Sequence, residues 1–342
     1  MKRALYCALR AIRLTDIWRD EAPGERRAAL VENGRIVEIH IQRDALWALG
    51  AYGVGRIDRK TPSGAYVVAD DNSEFLLRSK IAMPEGARVT FEVTREAISE
   101  PGRNKPPEIM LRERAPEPMV DKDALWNARL ASLGQSTVNA AIAEGFDIAI
   151  AGQSQLGDVT ISFQRTKAGL VFDIDGIGDA FAINMVAARE IARLLRLYQV
   201  GAMVLIDFIS MESRAQRTHI AEAFDAASLA DLRPFERTAI NGYGMMQVVR
   251  ARPRPSILDH LFGTRIAALS DETQAYWLLR AVAESRGYGV RSVTARPDVA
   301  ILLDSPKWAG WRNQAARRSG ADMVVVADEK VTGYGYVHVA QS

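Results

Sequence analysis

Apolar and polar residues alternate from Arg26 to Ile41 (RRAALVENGRIVEIHI), broken by Asn33–Gly34. Alternation about an Asn-Gly dipeptide predicts two antiparallel strands and a tight turn, since both central turn positions need positive φ. A second β-rich stretch runs from Gly55 to about Val93, with turns at Pro62–Gly64 and Asp70–Ser73. Proline, glycine and charge dominate Ser99–Glu108 (SEPGRNKPPE), which predicts a loop, and Glu113–Asp123 reads as a linker. A helix is predicted from Lys122 to about Leu133, with Asp121 as its N-cap.

From Asp147 onward the pattern is mixed. Phe146–Gly152 (FDIAIAG), Val159–Arg165 and Gly169–Gly176 (GLVFDIDG) read as strands. A helix from about Phe181 to Tyr198 follows, with Met185, Ala188, Ala192 and Leu195 on one face and Arg189, Arg193 and Arg196 on the other. The next strand contains VLIDFISM (Val204–Met211), and a helix follows across RAQRTHIAEAFDAA. A proline-rich break at Arg252–Pro255 closes this unit. Beyond Arg265, helical and strand patterns alternate again and predict a small α/β domain. There is no fixed-period repeat.

Composition narrows the function classes. The 342 residues are 48% hydrophobic and 25% charged, with a formal net charge of +2, which is ordinary globular composition. No apolar run is long enough to span a membrane. Arg10 and Arg13 interrupt the apolar start, MKRALYCALRAIR, so it predicts an N-terminal strand and a cytoplasmic protein rather than a leader. Cys7 is the single cysteine, which excludes an internal disulfide or a multi-cysteine zinc site, and the four histidines form no ligand pair. Any resident metal is then a hard ion held by oxygens. Basic clusters at Arg189–Arg196, Val248–Pro255 and Arg312–Arg318 read, from charge pattern alone, as solvated faces.

The chemistry concentrates in carboxylates. Asp207 interrupts an apolar strand, where an unpaired charge costs several kcal/mol. On the preceding strand, Asp173 and Asp175 share one face while Phe172 and Ile174 share the other. A strand–helix–strand crossover predicts parallel neighbours, which sets Asp173 beside Asp207 toward the carboxyl ends where open α/β sheets bind ligands. Two close carboxylates need a compensating cation, and magnesium accepts one or two with water filling its octahedron. The alternative is that such residues are helix caps or turn formers. A third reading is also open. VFDIDG resembles the nucleophile motif of haloacid-dehalogenase-like phosphatases, with Asp173 phosphorylated and Asp175 as acid–base, although Ile177 and Gly178 depart from its usual continuation.

Taken together, several segments resemble the ribonuclease E/G family. MKRALY and RRAALVENGRIVEIHI are similar to its opening strand and hairpin, and Phe181–Met211 is similar to its central signature almost position by position. RAQR (Arg214–Arg217), YGMMQVVRARPRPS (Tyr243–Ser256) and the C-terminal unit follow in the family's order. The resemblance implies an α/β and α+β multidomain fold: an RNase H-like/DNase I-like catalytic core with an inserted small OB-type β-barrel and a small C-terminal α/β domain. The implied boundaries are 1–48 and 114–165 for the RNase H-like part, 49–113 for the barrel, 166–263 for the DNase I-like part and 264–342 for the small domain.

It further implies a magnesium-dependent endoribonuclease that cuts single-stranded RNA to leave 5′-monophosphates. Asp173 and Asp207 would hold the metal, and Asp175, where the family usually has asparagine, would support them. Tyr66 and Phe75 fall near the family's base-stacking aromatics, with barrel packing as the alternative, and Lys105 near a basic loop position. Arg214, Arg217, Arg250 and Arg252 would face the RNA backbone. Departures point the other way. The two-cysteine zinc link is absent after Pro253, so no zinc-linked dimer is expected, while other self-association stays open. The 5′-sensing segment is largely missing, the loop after Asp175 is short, and Ser210 replaces an acid. These departures motivate the second reading, an RNA-binding protein that keeps the fold with little or no cleavage.

Overall fold

The computed structural model describes residues 15–117, 121–131 and 142–339; the opening strand expected at MKRALY and Cys7 lie outside them. Strands β1 (Thr15–Ala22), β2 (Glu25–Glu32) and β3 (Arg35–Arg43) form an antiparallel meander. Asn33 and Gly34 both take positive φ, 53° and 75°, and make the predicted hairpin turn. Both faces of β2 are buried: Ala29 and Val31 join the main core, and Ala28 packs with Trp126 and Leu130.

The second β-rich stretch closes into a five-stranded barrel, ordered β10-β6-β5-β4-β7. Its strands are β4 (Tyr52–Thr61), β5 (Gly64–Ala69), β6 (Glu74–Leu77), β7 (Arg88–Arg95) and β10 (Glu108–Arg112). The predicted loop before β10 differs from expectation. It folds as a short hairpin, β8 (Ile98–Glu100) and β9 (Arg103–Lys105), turning at Gly102 with φ +79°. Helix α1 (Lys122–Leu130) starts at Asp121, whose side chain accepts from the Ala124 amide at 2.6 Å.

Phe146–Ala151, read from the sequence as strand, is instead the body of helix α2 (Ala143–Ala151). The run is short enough for both periods to fit. Buried Phe146 and Ala149 select the helical one, and Gly152 ends it in the left-handed conformation.

A six-stranded mixed sheet follows, ordered β11-β12-β13-β14-β16-β15. It comprises β11 (Gln153–Leu156), β12 (Val159–Arg165), β13 (Leu170–Gly176), β14 (Ala202–Asp207), β15 (Phe235–Arg237) and β16 (Met245–Arg250). Between β13 and β14 runs helix α3 (Ala180–Leu197), and after β14 helix α4 (Arg214–Ser228). Ile183, Ala187, Ile191 and Leu194 of α3 pack on Ile161, Phe172, Ile174, Val204 and Ile206 in the largest core. Alanines at 187, 188 and 192 let the helix approach both the sheet and α4. Each fully buried Leu or Ile here contributes about 1.5–3 kcal/mol.

Helix α5 (Ile257–Phe262) opens with a capping box between Ser256 and Asp259. The C-terminal unit contains helix α6 (Asp271–Glu284), strand β17 (Arg291–Ala295), helices α7 (Pro297–Asp304) and α8 (Ala309–Ser319), and strands β18 (Met323–Ala327) and β19 (Tyr336–Val339). Its sheet is ordered β18-β17-β19 around a separate core that includes Leu279, Val293 and Trp308. The architecture is thus mixed α/β with a closed β-barrel. Among the described residues no helix is long and apolar enough to cross a membrane.

Candidate active site

The crossover predicted from spacing places β13 and β14 side by side and parallel, with Asp173 directly opposite Asp207. In-register neighbours in adjacent strands lie about 4.8 Å apart, with side chains on the same face. Alternation is clean. Phe172, Ile174, Val204 and Ile206 are buried against the helices, whereas Asp173 and Asp175 are exposed on the opposite face and Asp207 is half-buried there. Asp175 lies one side-chain repeat further along β13 and is paired with Thr160 of β12.

The pair is electrostatically unbalanced. Burial and the neighbouring Asp173 carboxylate push the Asp207 carboxyl above its ordinary value of 3.8. Among the described residues, no lysine or arginine forms an ion pair with Asp173, Asp175 or Asp207. This uncompensated charge fits a hard divalent cation, which takes two carboxylates and keeps several waters. Among the described residues there is no group of three or more ligating His, Cys, Asp or Glu side chains, so protein ligation of such an ion is limited to this sparse set.

Two groups outside the expected set fix the end of β14. Asn184 of α3, fully buried, donates to the Ile209 carbonyl at 2.8 Å and accepts the Ile209 amide at 3.1 Å. This two-point bond ties the chain just beyond Asp207 to the crossover helix. The signal for it was available: a lone amide side chain interrupts the buried stripe of α3. On the other side, the Phe208 amide donates to the Gly244 carbonyl at 3.1 Å. Gly244 has φ +90°, and a Cβ there would meet the Phe208 carbonyl oxygen at 2.2 Å, so only glycine permits this approach.

The residues expected to contact RNA scatter. Tyr66 is half-buried with the Arg59 guanidinium 3.9 Å from its ring centroid, an aromatic beside a cation. Phe75 differs from the stacking expectation. It is 0% exposed between Trp47 and Phe91, so its ring is barrel core.

Arg250 differs too, because strand parity turns it, with Met246 and Val248, to the helix-covered face. There it is 5% exposed and bound to Asp231. Arg217 donates to the carbonyls of Met211 and Glu212, at 2.5 and 3.0 Å, and braces the loop after Asp207. Lys105 and Arg252 meet in a cleft of about 210 Å³ at the other end of β13 and β14, both paired with Glu100. Arg214 is the exception: exposed in the first turn of α4, it forms no ion pair among the described residues.

The "solvated" basic clusters are also largely paired. Arg196 reaches Glu32 and Glu38 of the first sheet, and Arg193 and Arg35 converge on Glu190.

The segment that carries this geometry matches a family model. The model described as "Ribonuclease E/G family" covers residues 173–253, from Asp173 through Asp207 and Gly244 to Pro253. Over this stretch the chain is similar to the ribonuclease E/G family. Similar proteins include a chloroplastic ribonuclease E/G-like protein of Arabidopsis thaliana, 27% identical over 109 residues, or 29% of this chain and 11% of the relative. Ribonuclease E of a Nostoc species is 36% identical over 80 residues, covering 23% and 12%. Ribonuclease G of Escherichia coli is 34% identical over 80 residues, covering 22% and 16%. The matched stretches therefore span 11 to 16% of these relatives' lengths. The match of the family model leaves the barrel and the first sheet outside it.

Proposed function

We propose that this protein is a magnesium-dependent endoribonuclease that hydrolyses phosphodiester bonds in single-stranded RNA and leaves 5′-monophosphate ends, in RNA processing or decay. The observation that carries the reading is the in-register pair Asp173–Asp207, without a cationic partner, inside the stretch matched by the ribonuclease E/G family model. An RNA phosphodiester is itself anionic, so three exposed or half-exposed carboxylates repel it unless a cation intervenes. Asp173 and Asp207 would hold that ion, and Asp175 would support them. The chemistry such a magnesium ion would supply is Lewis-acid activation of the phosphodiester and of the attacking water.

The chain's own residues do the remainder. Asn184 and Gly244 hold the backbone beside Asp207, fixing where its carboxylate points. Arg214, exposed beyond the same strand end, offers a planar fork to a backbone phosphate. Tyr66 with Arg59 presents a stacking and cationic surface on the barrel. In this reading residues 15–48 and 114–165 correspond to the RNase H-like part and residues 166–263 to the DNase I-like part, although β11 and β12 share a sheet with β13, and the protein acts in the cytoplasm.

The test is a labelled single-stranded A/U-rich RNA incubated with magnesium or with chelator, beside Asp207→Asn. Internal cuts that need metal and disappear in the variant support the proposal. Binding without cuts supports the RNA-binding reading instead. Turnover of a small phosphate ester through phospho-Asp173 would support the phosphatase chemistry.

A further inference from the structure

We propose that Tyr243 is a nucleobase platform at the catalytic face, stacking one unpaired base of single-stranded RNA beside the phosphodiester presented to Asp173 and Asp207. The inference rests on the nuclease reading and deepens it by naming a base subsite. Tyr243 is 83% exposed, although a tyrosine ring is among the larger apolar surfaces a chain can bury. A single exposed aromatic is unremarkable in itself; its mounting and position make the case.

The mounting is rigid. The Asn241 side-chain oxygen accepts the amides of Tyr243 at 2.9 Å and Met245 at 3.1 Å, while the Gly244 amide donates to the Asn241 carbonyl at 3.2 Å. The same turn is tied to β14 through the Phe208 amide and the Gly244 carbonyl. Much of the backbone ordering that a stacking residue would otherwise lose on binding is thereby already spent in the fold.

The position is adjacent to the chemistry. Met245 lies opposite Asp207 in the β14–β16 register, and a Cβ built on Gly244 would sit 3.8 Å from an Asp207 carboxylate oxygen. Tyr243 is the next residue outward. Across the carboxylates, the loop after β13 carries Ile177, 87% exposed. Two apolar side chains thus stand in water on the two loops that flank a strip of carboxylates. A π-face is indifferent to base identity, whereas a phosphate gains nothing from it, so the matching ligand is an unpaired base and not the backbone.

The test measures binding in EDTA, where cleavage does not interfere, using a fluorescein-labelled single-stranded A/U-rich RNA of about ten nucleotides. Tyr243→Ala should weaken binding roughly tenfold, within the range of one base–aromatic stack, whereas Tyr243→Phe should bind like the unaltered protein. In a series of RNAs with one abasic position each, one position should cost unaltered protein about the same factor, and Tyr243→Ala should lose nothing further there. Equal affinity of Tyr243→Ala and unaltered protein would overturn the platform, as would a Tyr243→Ala loss that is the same at every abasic position. Absence of metal-dependent cuts by unaltered protein would count against the nuclease reading alone, since the binding comparison still decides on Tyr243.

Discussion

Glu25 and Asp207 are both carboxylates set into apolar strands, and the fold treats them in opposite ways. Glu25 is buried beside two guanidiniums, Arg27 at 2.6 Å and Arg43 at 2.9 Å, and Arg43 is in turn bonded to Thr273. Burial alone would raise its pKa, but the two arginines outweigh burial and hold it below the ordinary carboxylate value. Asp207 is less buried, has another carboxylate for a neighbour, and is pushed the other way. The first arrangement is complete within the chain. The second has a charge left unbalanced among the described residues, and that difference marks Asp207 as a candidate functional acid and Glu25 as a structural one.

The contrast can be broken in several ways. The largest effect belongs to Asp207→Asn, which should lower metal-dependent RNA cleavage by on the order of 10²–10³ fold, comparable to losing one group dedicated to the transition state. The same variant should melt above unaltered protein at neutral pH in chelator. The sign follows from the raised pKa: the fold favours the protonated form, so that stabilisation is present below the ordinary value of 3.8 and lost as pH rises through the raised one. A variant that melts lower in chelator would place Asp207 among the structural acids.

Glu25→Gln should do the reverse. It leaves two arginines buried with their charge unpaired and should cost about 3–5 kcal/mol by denaturant unfolding, while cleavage per folded molecule stays unchanged. Its lowered pKa means that its contribution is present above the ordinary 4.5 and is lost as pH falls through the depressed value. The acid limb of the stability profile should therefore flatten in Glu25→Gln and persist in Asp207→Asn.

Asn184→Ala sits between the two cases. It unpairs the amide and the carbonyl of half-buried Ile209 at about 1–3 kcal/mol, and because Ile209 lies just beyond Asp207, kcat should fall more than RNA affinity. A fall in stability with kcat intact would make Asn184 a packing residue only. The smallest effect is that of Arg214→Ala, which should reduce the slope of log affinity against log salt by about 0.7, the share of one phosphate contact on a single strand. An unchanged slope removes Arg214 from the RNA surface.

What could be read from the sequence followed local periodicity. The β13 alternation put Asp173 and Asp175 on one face, the crossover rule brought Asp207 alongside, and Asn33–Gly34 announced its hairpin. What could not be read depended on partners far along the chain. Arg196, Arg252 and Arg254 look available in the sequence because Glu32, Glu38, Glu96 and Glu100 are distant from them; folding turns these apparent surface charges into internal ion pairs. Phe75 misled for a similar reason, since a short barrel strand offers an aromatic equally well to a base or to its own interior. The strand reading of Phe146–Ala151 failed because a short apolar run fits both periods until something packs on it.

The parallel pairing of β13 with β14 also separates two things that are usually linked. The spacing of Asp173 and Asp207 is set by strand register, and the Ile177–Asp179 loop that follows β13 has no part in it. That loop can lengthen, shorten or change composition while the carboxylates stay where they are. It is the part of the candidate site where descendants of this chain can be varied without moving the carboxylate pair.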